Sequence, residues 1–323
     1  MTQALTDLAG RVVAVTGGAG FIGSHLVAAL LKAGVKRVHV IDSFEYGDPR
    51  NIEFGPAEVE VTKLTLGAGV RDELLPRFEN VDYLFHLAAE KHNQSIDNPL
   101  KVIDSNISGA YEVLAAACQA GVRKVVFTSS LYAYGRMSGP PFVETELPRP
   151  KTVYGISKLA GEHLCSFFQA KRGLQCVSLR YMFVYGPKQF ACQGYKSVIV
   201  KNFDRLLKGE PPVINGDGRQ VLDYIFVEDV VELTMRAMVM PISSEIVNIC
   251  SGCGISVLSL TDLMQQAAET AYDPVFAAPD STHGSSRVGD PSRMLSMLQY
   301  QPAVPIESGL RITLRWMRER RLS

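Results

Sequence analysis

Two segments of the chain carry side chains that can move a proton. One is Tyr154-Gly155-Ile156-Ser157-Lys158; the other is Ser129-Ser130, at the end of an apolar run. On a helix, Tyr154 and Lys158 lie one turn apart and share a face. A lysine ammonium beside a phenol stabilises the phenolate, so Tyr154 is expected to have a lowered pKa and to serve as acid/base near neutral pH, where a free phenol stays protonated. The Ser130 hydroxyl is expected to hold a substrate oxygen during hydride transfer. A tyrosine and a lysine at this spacing also occur on ordinary surface helices. The pair gains its weight from what precedes it.

The run Val12-Val13-Ala14-Val15-Thr16-Gly17-Gly18-Ala19-Gly20-Phe21-Ile22-Gly23 reads as a buried strand, a glycine turn and the opening of a helix. Gly17 suits the tight turn, Gly20 the close approach of backbone to a pyrophosphate, and Gly23 close packing of helix on strand. The helix N-terminus offers free N–H groups to phosphates. A second strand, Arg37 to Ile41, ends in Asp42, at the distance where a carboxylate grips a ribose 2′-hydroxyl. That acid favours NAD over NADP, whose 2′-phosphate would meet a like charge.

Around these residues the first half alternates strand and helix patterns. Strands are expected at Val12–Thr16, Arg37–Ile41, Tyr83–Leu87, Lys124–Ser129 and Gln175–Arg180, and helices at Ile22–Ala33, Pro99–Ala120 and Thr152–Lys171. This rhythm predicts an α/β fold with a doubly wound, parallel, Rossmann-like sheet. Gly17, Asp42, Ala88 and Ser130 then fall at strand carboxyl ends, in one crevice. The second half is less regular. Pro187 to Gly194 and Pro211 to Gly218 are turn-rich, Asp223 to Val230 reads as a strand running into a helix, and Pro274 to Pro291 reads mostly as loop. We expect residues 1–180 to bind the dinucleotide and residues 181–323 to form mainly a smaller substrate-binding lobe, with 221–250 returning to the first.

Composition narrows the partners. Lysine plus arginine and aspartate plus glutamate number 33 each in 323 residues, so no nucleic-acid partner or anionic membrane surface is expected. No apolar stretch is long enough to span a bilayer, and the N-terminus lacks the order of a signal peptide, so a cytoplasmic location is expected. The basic run Arg311, Arg315, Arg318, Arg320, Arg321 has helical spacing and reads as a solvated helix face, an anion site being the minor alternative. Six cysteines are scattered. Only Cys250-Ser251-Gly252-Cys253 has suggestive spacing. It lacks the second pair a zinc site needs, and a redox role competes with coincidence. No metal site is expected, and the cysteines read as reduced.

The order of the motifs resembles the extended short-chain dehydrogenase/reductase family, of the nucleotide-sugar epimerase and dehydratase type. TGGAGFIG, HLAA at His86–Ala89, Asn106, FTSS…YG at Phe127–Gly135, YGISK, RYMFVYGP at Arg180–Pro187, GDGRQVLDYIFVEDV and RVGDPSR…ESGLRITLRW follow one another as in that family. The resemblance implies NAD as cofactor, with Gly17, Gly20, Phe21, Ile22, Gly23, Asp42 and Ser43 as dinucleotide contacts. Leu87, Ala88, Ala89 and Lys91 match the segment beneath the cofactor, and Asn106 a supporting helix residue. Ser129 and Tyr181 would also border the cofactor. Ser130, Tyr154 and Lys158 match the catalytic triad; Ser130, Tyr132, Phe183 and Arg287 would meet the substrate. Arg287 matches an arginine that holds phosphates, a role suited to its paired donors; a solvated loop arginine is the competing reading.

The resemblance further implies transient oxidation of a sugar carbon, Tyr154 taking the hydroxyl proton while NAD takes hydride. An epimerase returns the hydride to the other face, with C4 the expected site; a dehydratase first eliminates water, and a ketoreductase shows net redox. The helices carrying Ala110–Ala117 and Gly161–Phe168 resemble the family's dimer helices, which implies a homodimer. The departures cluster on the substrate side. Leu131-Tyr132 stands where many dehydratases and decarboxylases carry a carboxylate. Phe183 replaces an asparagine, Leu222 an arginine, and the HLAA segment is one residue short before Ser95. These changes lower the dehydratase reading and suggest an unusual sugar nucleotide or a substrate with fewer phosphates. His92 offers an extra acid/base or a hydrogen-bonded loop residue.

Overall fold

In the computed structural model, which describes residues 6–55, 57–135, 139–189 and 196–322, the strand nearest the N-terminus sits at the heart of the larger sheet. That strand, β1 (Val12–Thr16), sends successive side chains to opposite faces. Val13 and Val15 join one apolar cluster with Leu26, Val27 and Val230; Ala14 joins another with Leu74, Val113 and Phe168. The neighbouring strands divide likewise, Val126 to the first cluster and Val125 and Phe127 to the second. A strand buried on both faces needs helices on both sides, and each fully buried Val, Leu or Phe contributes about 1.5–3 kcal/mol.

The order of elements is β1, α1 (Phe21–Lys32), β2 (Arg37–Asp42), β3 (Glu58–Lys63), α2 (Arg71–Phe78), β4 (Tyr83–His86), α3 (Gln94–Asp97), α4 (Pro99–Ile103), α5 (Gly109–Gln119), β5 (Lys124–Ser130), α6 (Val153–Arg172) and β6 (Gln175–Tyr181). After them come β7 (Phe183–Tyr185), α7 (Val198–Leu206), β8 (Val213–Asn215), β9 (Val221–Phe226), α8 (Val227–Val239), β10 (Glu245–Ile249), β11 (Gly254–Ser256), α9 (Val257–Ala268), β12 (Val275–Ala277), β13 (Ser286–Arg287), α10 (Ser292–Leu298) and α11 (Ile306–Leu322). Seven strands form one sheet in the order β10-β6-β5-β4-β1-β2-β3, every neighbouring pair parallel. Helices α2, α5 and α6 share one side of it; α1 and α8 pack together on the other.

A smaller sheet pairs β9 with β11, β13 and β7, and β8 pairs with β12. Residues 221–250 thus run from the small sheet (β9), through α8, into the edge strand β10 of the large one. Among the described residues no helix is long and apolar enough to cross a membrane.

The pattern reading is amended in four places. Strand β3 is an exposed edge strand whose Glu58, Glu60 and Lys63 hide it from a search for apolar runs. Helix α2 is short, with Pro76 inside. The segment expected as one helix over Pro99–Ala120 is interrupted by a π turn at Asp104–Ser108, which carries Asn106 inward. Two short strands, β12 and β13, lie in the stretch expected as loop. Of the cysteines, Cys118, Cys165, Cys176, Cys250 and Cys253 are free thiols, whereas Cys192, within 190–195, lies outside the described residues.

One ion pair crosses the core. Arg180 near the end of β6 donates to Glu162 on α6 through Nε (2.8 Å) and Nη2 (2.7 Å), and both side chains are 1% exposed. Arg180→Met strands the Glu162 charge and is expected to lower the unfolding free energy by about 3–5 kcal/mol in denaturant titrations, while Arg180→Met/Glu162→Met recovers much of that loss.

Candidate active site

The turn after β1 is built from contacts that exclude larger residues. Gly17 has φ +73°, and a Cβ there would stand 2.7 Å from the Ala88 nitrogen. At Gly23 a Cβ would stand 2.0 Å from the Gly17 carbonyl oxygen. Helix α1 starts at Gly20 without a side-chain cap and without an acid in its first turn. Its leading N–H groups are therefore unneutralised, and this suits a pyrophosphate. Beside them Asp42 is 7% exposed and accepts from the backbone N–H groups of Ala19 (2.9 Å) and Phe44 (2.8 Å). Burial pushes its carboxyl pKa up, and these two N–H bonds pull it back.

A cavity of about 340 Å³ runs from this turn along the strand ends. Gly17, Gly20, Phe21, Asp42 and Ser43 line it, as do Leu87, Ala88, Ala89 and Lys91 from the segment after β4. The cradle left by Gly17 and Gly23, the free helix terminus and the carboxylate at the end of β2 together fit a dinucleotide with an unsubstituted ribose 2′-hydroxyl.

A second cavity, of about 730 Å³, adjoins the first and shares Gly17, Gly20 and Phe21 with it. Ile22, Gly23, Ser129, Ser130, Tyr132, Tyr154, Lys158, Tyr181 and Phe183 are on its wall. Helix α6 opens with the Thr152 side chain accepting from the Gly155 N–H (3.0 Å), so Tyr154 emerges in the first turn facing the end of β5. There Ser130, on the same cavity wall, counters the burial that raises the phenol's pKa. Asn106 holds the frame from below. Its Oδ1 accepts from the Glu90 N–H (2.7 Å), and its Nδ2 donates to the Glu90 carbonyl (3.2 Å) and to Ser157 Oγ (3.1 Å). Asn106 lines neither cavity; it ties the segment after β4 to α6.

Several expectations are corrected by these contacts. Lys158 Nζ donates to the Thr128 carbonyl (2.8 Å) and lies 5.7 Å from the centre of the Tyr154 ring. Burial pushes Tyr154 up to about 12, opposed by Ser130, and burial pushes Lys158 down to about 8, opposed by Glu162. The protein's own groups therefore raise the tyrosine pKa. Ser129 borders the cavity, yet its hydroxyl donates to Glu162 Oε1 (2.5 Å). The Tyr181 hydroxyl is spent on Thr234 (2.7 Å). Arg287 stands beside the cavity wall: its Nη2 donates to the Ser281 carbonyl (2.6 Å), its Nε to Ser285 Oγ (3.2 Å), and its guanidinium sits 5.7 Å from the ring centre of Tyr132, a lining residue.

The substrate wall is largely apolar. Leu222 is 4% exposed, and Phe183 packs on Tyr224 with ring centres 5.6 Å apart. His92 stacks on Tyr132 at 4.0 Å and meets Tyr154 edge-on at 5.9 Å. Burial and then Arg287 lower the His92 pKa, while burial raises that of Tyr132. Lys196 and Lys201, at the start of α7, also border this cavity and were not anticipated. Neither was Glu162, although its place one turn beyond Lys158 was a readable signal.

The comparisons agree with this geometry. Residues 13–250 match the family model for the NAD dependent epimerase/dehydratase family. The chain belongs to that family. It is 32% identical over 317 residues to a UDP-glucose 4-epimerase of Mycolicibacterium smegmatis, covering 95% of this chain and 98% of the relative. It is 31% identical over 320 residues to a UDP-N-acetyl-alpha-D-glucosaminuronate decarboxylase of Bacillus cytotoxicus, covering 94% and 97%. The crystal structure of a Thermus thermophilus UDP-glucose 4-epimerase in complex with NAD superposes with a TM-score of 0.85 at 33% identity, covering 95% of this chain and 99% of that one. NAD is the cofactor of this family, and the groove described above is where it fits.

Beneath the Gly17 turn, His86 Nδ1 shares a hydrogen bond with Thr16 Oγ1 (2.7 Å), and burial pushes its pKa down to about 3. An unfolded chain protonates this histidine first, near its ordinary value of about 6.5, so the stability contributed by neutral His86 is lost as pH falls from there towards 3. The His86 ring resonances are expected to stay in the neutral form between about pH 7 and pH 4.5 in an NMR titration.

Proposed function

We propose that the protein is an NAD-dependent epimerase of a nucleotide-activated sugar, with the reacting centre at C4. The observation that carries this reading is the meeting of Ser130, Tyr154 and Lys158 on the wall of the larger cavity, with no uncommitted carboxylate beside them among the described residues. The two acids that border the larger cavity are engaged elsewhere. Glu90 binds Tyr46 and Lys101, and Asp280 binds Thr282 and Asn215. An elimination needs an additional acid/base pair. Leu131-Tyr132 supplies only a phenol whose pKa is raised, which favours epimerisation over dehydration.

When bound, NAD supplies the hydride acceptor and a positively charged ring. The chain's residues manage the proton. Ser130 holds the sugar oxygen within reach of Tyr154, and Tyr154 takes the hydroxyl proton and later returns it. Lys158, fixed on the Thr128 carbonyl, keeps a positive charge one helical turn away, which favours the phenolate each time it forms. The wall of Phe183, Leu222 and Tyr224 offers apolar contact to sugar and base. Lys196 and Lys201, which border the cavity, supply charge for the phosphates.

We also propose a homodimer through the face formed by α3, α4, α5 and α6. Leu100 on α4 (76% exposed) and Phe167 on α6 (48%) are exposed apolar side chains on these helices. Leu100→Glu with Phe167→Glu is expected to shift the sedimentation coefficient from dimer to monomer; an unchanged coefficient contradicts the interface.

The catalytic reading is tested by incubating the protein with a panel of UDP-, GDP-, dTDP- and CDP-sugars. The expected product has the substrate's mass and an inverted centre. Tyr154→Phe is expected to lower its rate of formation by about 10²–10⁴-fold while the NAD content of the purified protein is unchanged. A Tyr154→Phe variant as fast as the wild type rules out the mechanism.

A further inference from the structure

The smaller cavity lies between two loops, one after β2 and one after β4, and these loops are fastened to each other. Tyr46, from the first, donates its hydroxyl to Glu90 Oε2 of the second at 3.0 Å. Lys101 on α4 reaches Glu90 Oε1 at 3.0 Å and also binds Glu45, the neighbour of Tyr46. The Tyr46 ring lies 4.3 Å from Lys91 Nζ and 5.8 Å from Lys101 Nζ, within cation–π range of both. Three chain segments, 43–47, 87–91 and 99–103, therefore converge on one cluster of two acids, two lysines and a phenol.

The cluster is anchored on the rigid side. Glu90 is 6% exposed, and its N–H is bound to Asn106 in the π turn. Burial and the Glu90 bond both push the Tyr46 phenol pKa up, so its hydroxyl remains a donor. Tyr46, Glu90 and Lys91 all line the cavity that contains the Gly17 turn and Asp42. We propose that the Tyr46–Glu90–Lys101–Glu45 cluster is a clasp that closes over bound NAD and retains it from one turnover to the next.

In this proposal a dinucleotide held between Asp42 and the Gly17 turn leaves towards solvent as the two loops part. Parting them breaks the phenol–carboxylate bond and separates Lys101 from at least one acid. Such charge-assisted bonds are stronger than neutral ones, and interactions of this kind act chiefly on the rate of dissociation. A retained cofactor suits a reaction that returns its hydride to the substrate, since no exchange is then needed. The proposal rests on the family's cofactor and on the loop geometry, and it stands whatever sugar is turned over.

The test reads release of the cofactor, not catalysis. The purified protein is loaded with isotopically labelled NAD, freed of excess by gel filtration and chased with unlabelled NAD, and the label still bound is followed in time. The wild type is expected to release label slowly. Tyr46→Phe and Lys101→Met are each expected to release it about tenfold faster, corresponding to about 1.4 kcal/mol, and the double variant faster still. Glu45→Gln, which removes only the outer partner of Lys101, is expected to show a smaller acceleration in the same direction. Lys101→Arg, which keeps the charge, should restore slow release. Wild-type exchange complete within the mixing time, or variants that release label at the wild-type rate, overturns the clasp.

Discussion

The site depends on one buried carboxylate. Glu162 lies two helical turns beyond Tyr154 and one beyond Lys158 on α6, and it accepts from Ser129 at the end of β5 and from Arg180 near the end of β6. A paired charge at this depth is tolerated only when its partners have good geometry, and Glu162 has three donor contacts from two strands. Those contacts fix the helix against the sheet in one register. At Gly161, a Cβ would stand 2.2 Å from the Phe127 ring, so helix and strand lie too close for slippage. Tyr154 is therefore delivered to the end of β5 by the core, and the first turn of α6 inherits a position set by packing two turns further along the helix.

What the sequence disclosed was local. Val12–Thr16, the Gly17 turn and Asp42 are legible because a buried parallel strand, a tight turn and the acid ending the next strand each leave a short-range pattern. Tyr154 and Lys158 are legible because helical spacing alone puts them on one face. The lysine's target was not, since Nζ bonds to the Thr128 carbonyl, whose position follows from pairing of β5 with β4 and β6. The commitment of Ser129 to Glu162 depends on the same long-range packing. Strand β3 escaped notice because an edge strand needs no apolar run. The π turn around Asn106 escaped because its residues continue a helical pattern while the backbone gains a residue in the turn.

Burial sets the resting charge state of these groups in the absence of cofactor. Burial holds Tyr154 at about 12 and Lys158 at about 8, so the protein alone disfavours both charged forms. A positive ring close to the phenol relieves the first of these penalties, which couples proton transfer to the presence of NAD. The clasp between the loops after β2 and β4 extends that logic, because a cofactor that stays in place keeps the phenol poised. On the other side, Phe183 and Leu222 replace polar residues of the resembling family with apolar surface. In the proposed reading, recognition there rests on shape and on the lysines at the start of α7.

The central claim, that hydride leaves and returns to the same sugar carbon while Tyr154 manages the proton, is tested most directly with a nucleotide sugar carrying deuterium at C4. The account predicts a product inverted at C4, of the same mass as the labelled substrate and with its deuterium retained. Deuterium lost to solvent or released with reduced cofactor, or a product lighter by one water, would contradict it.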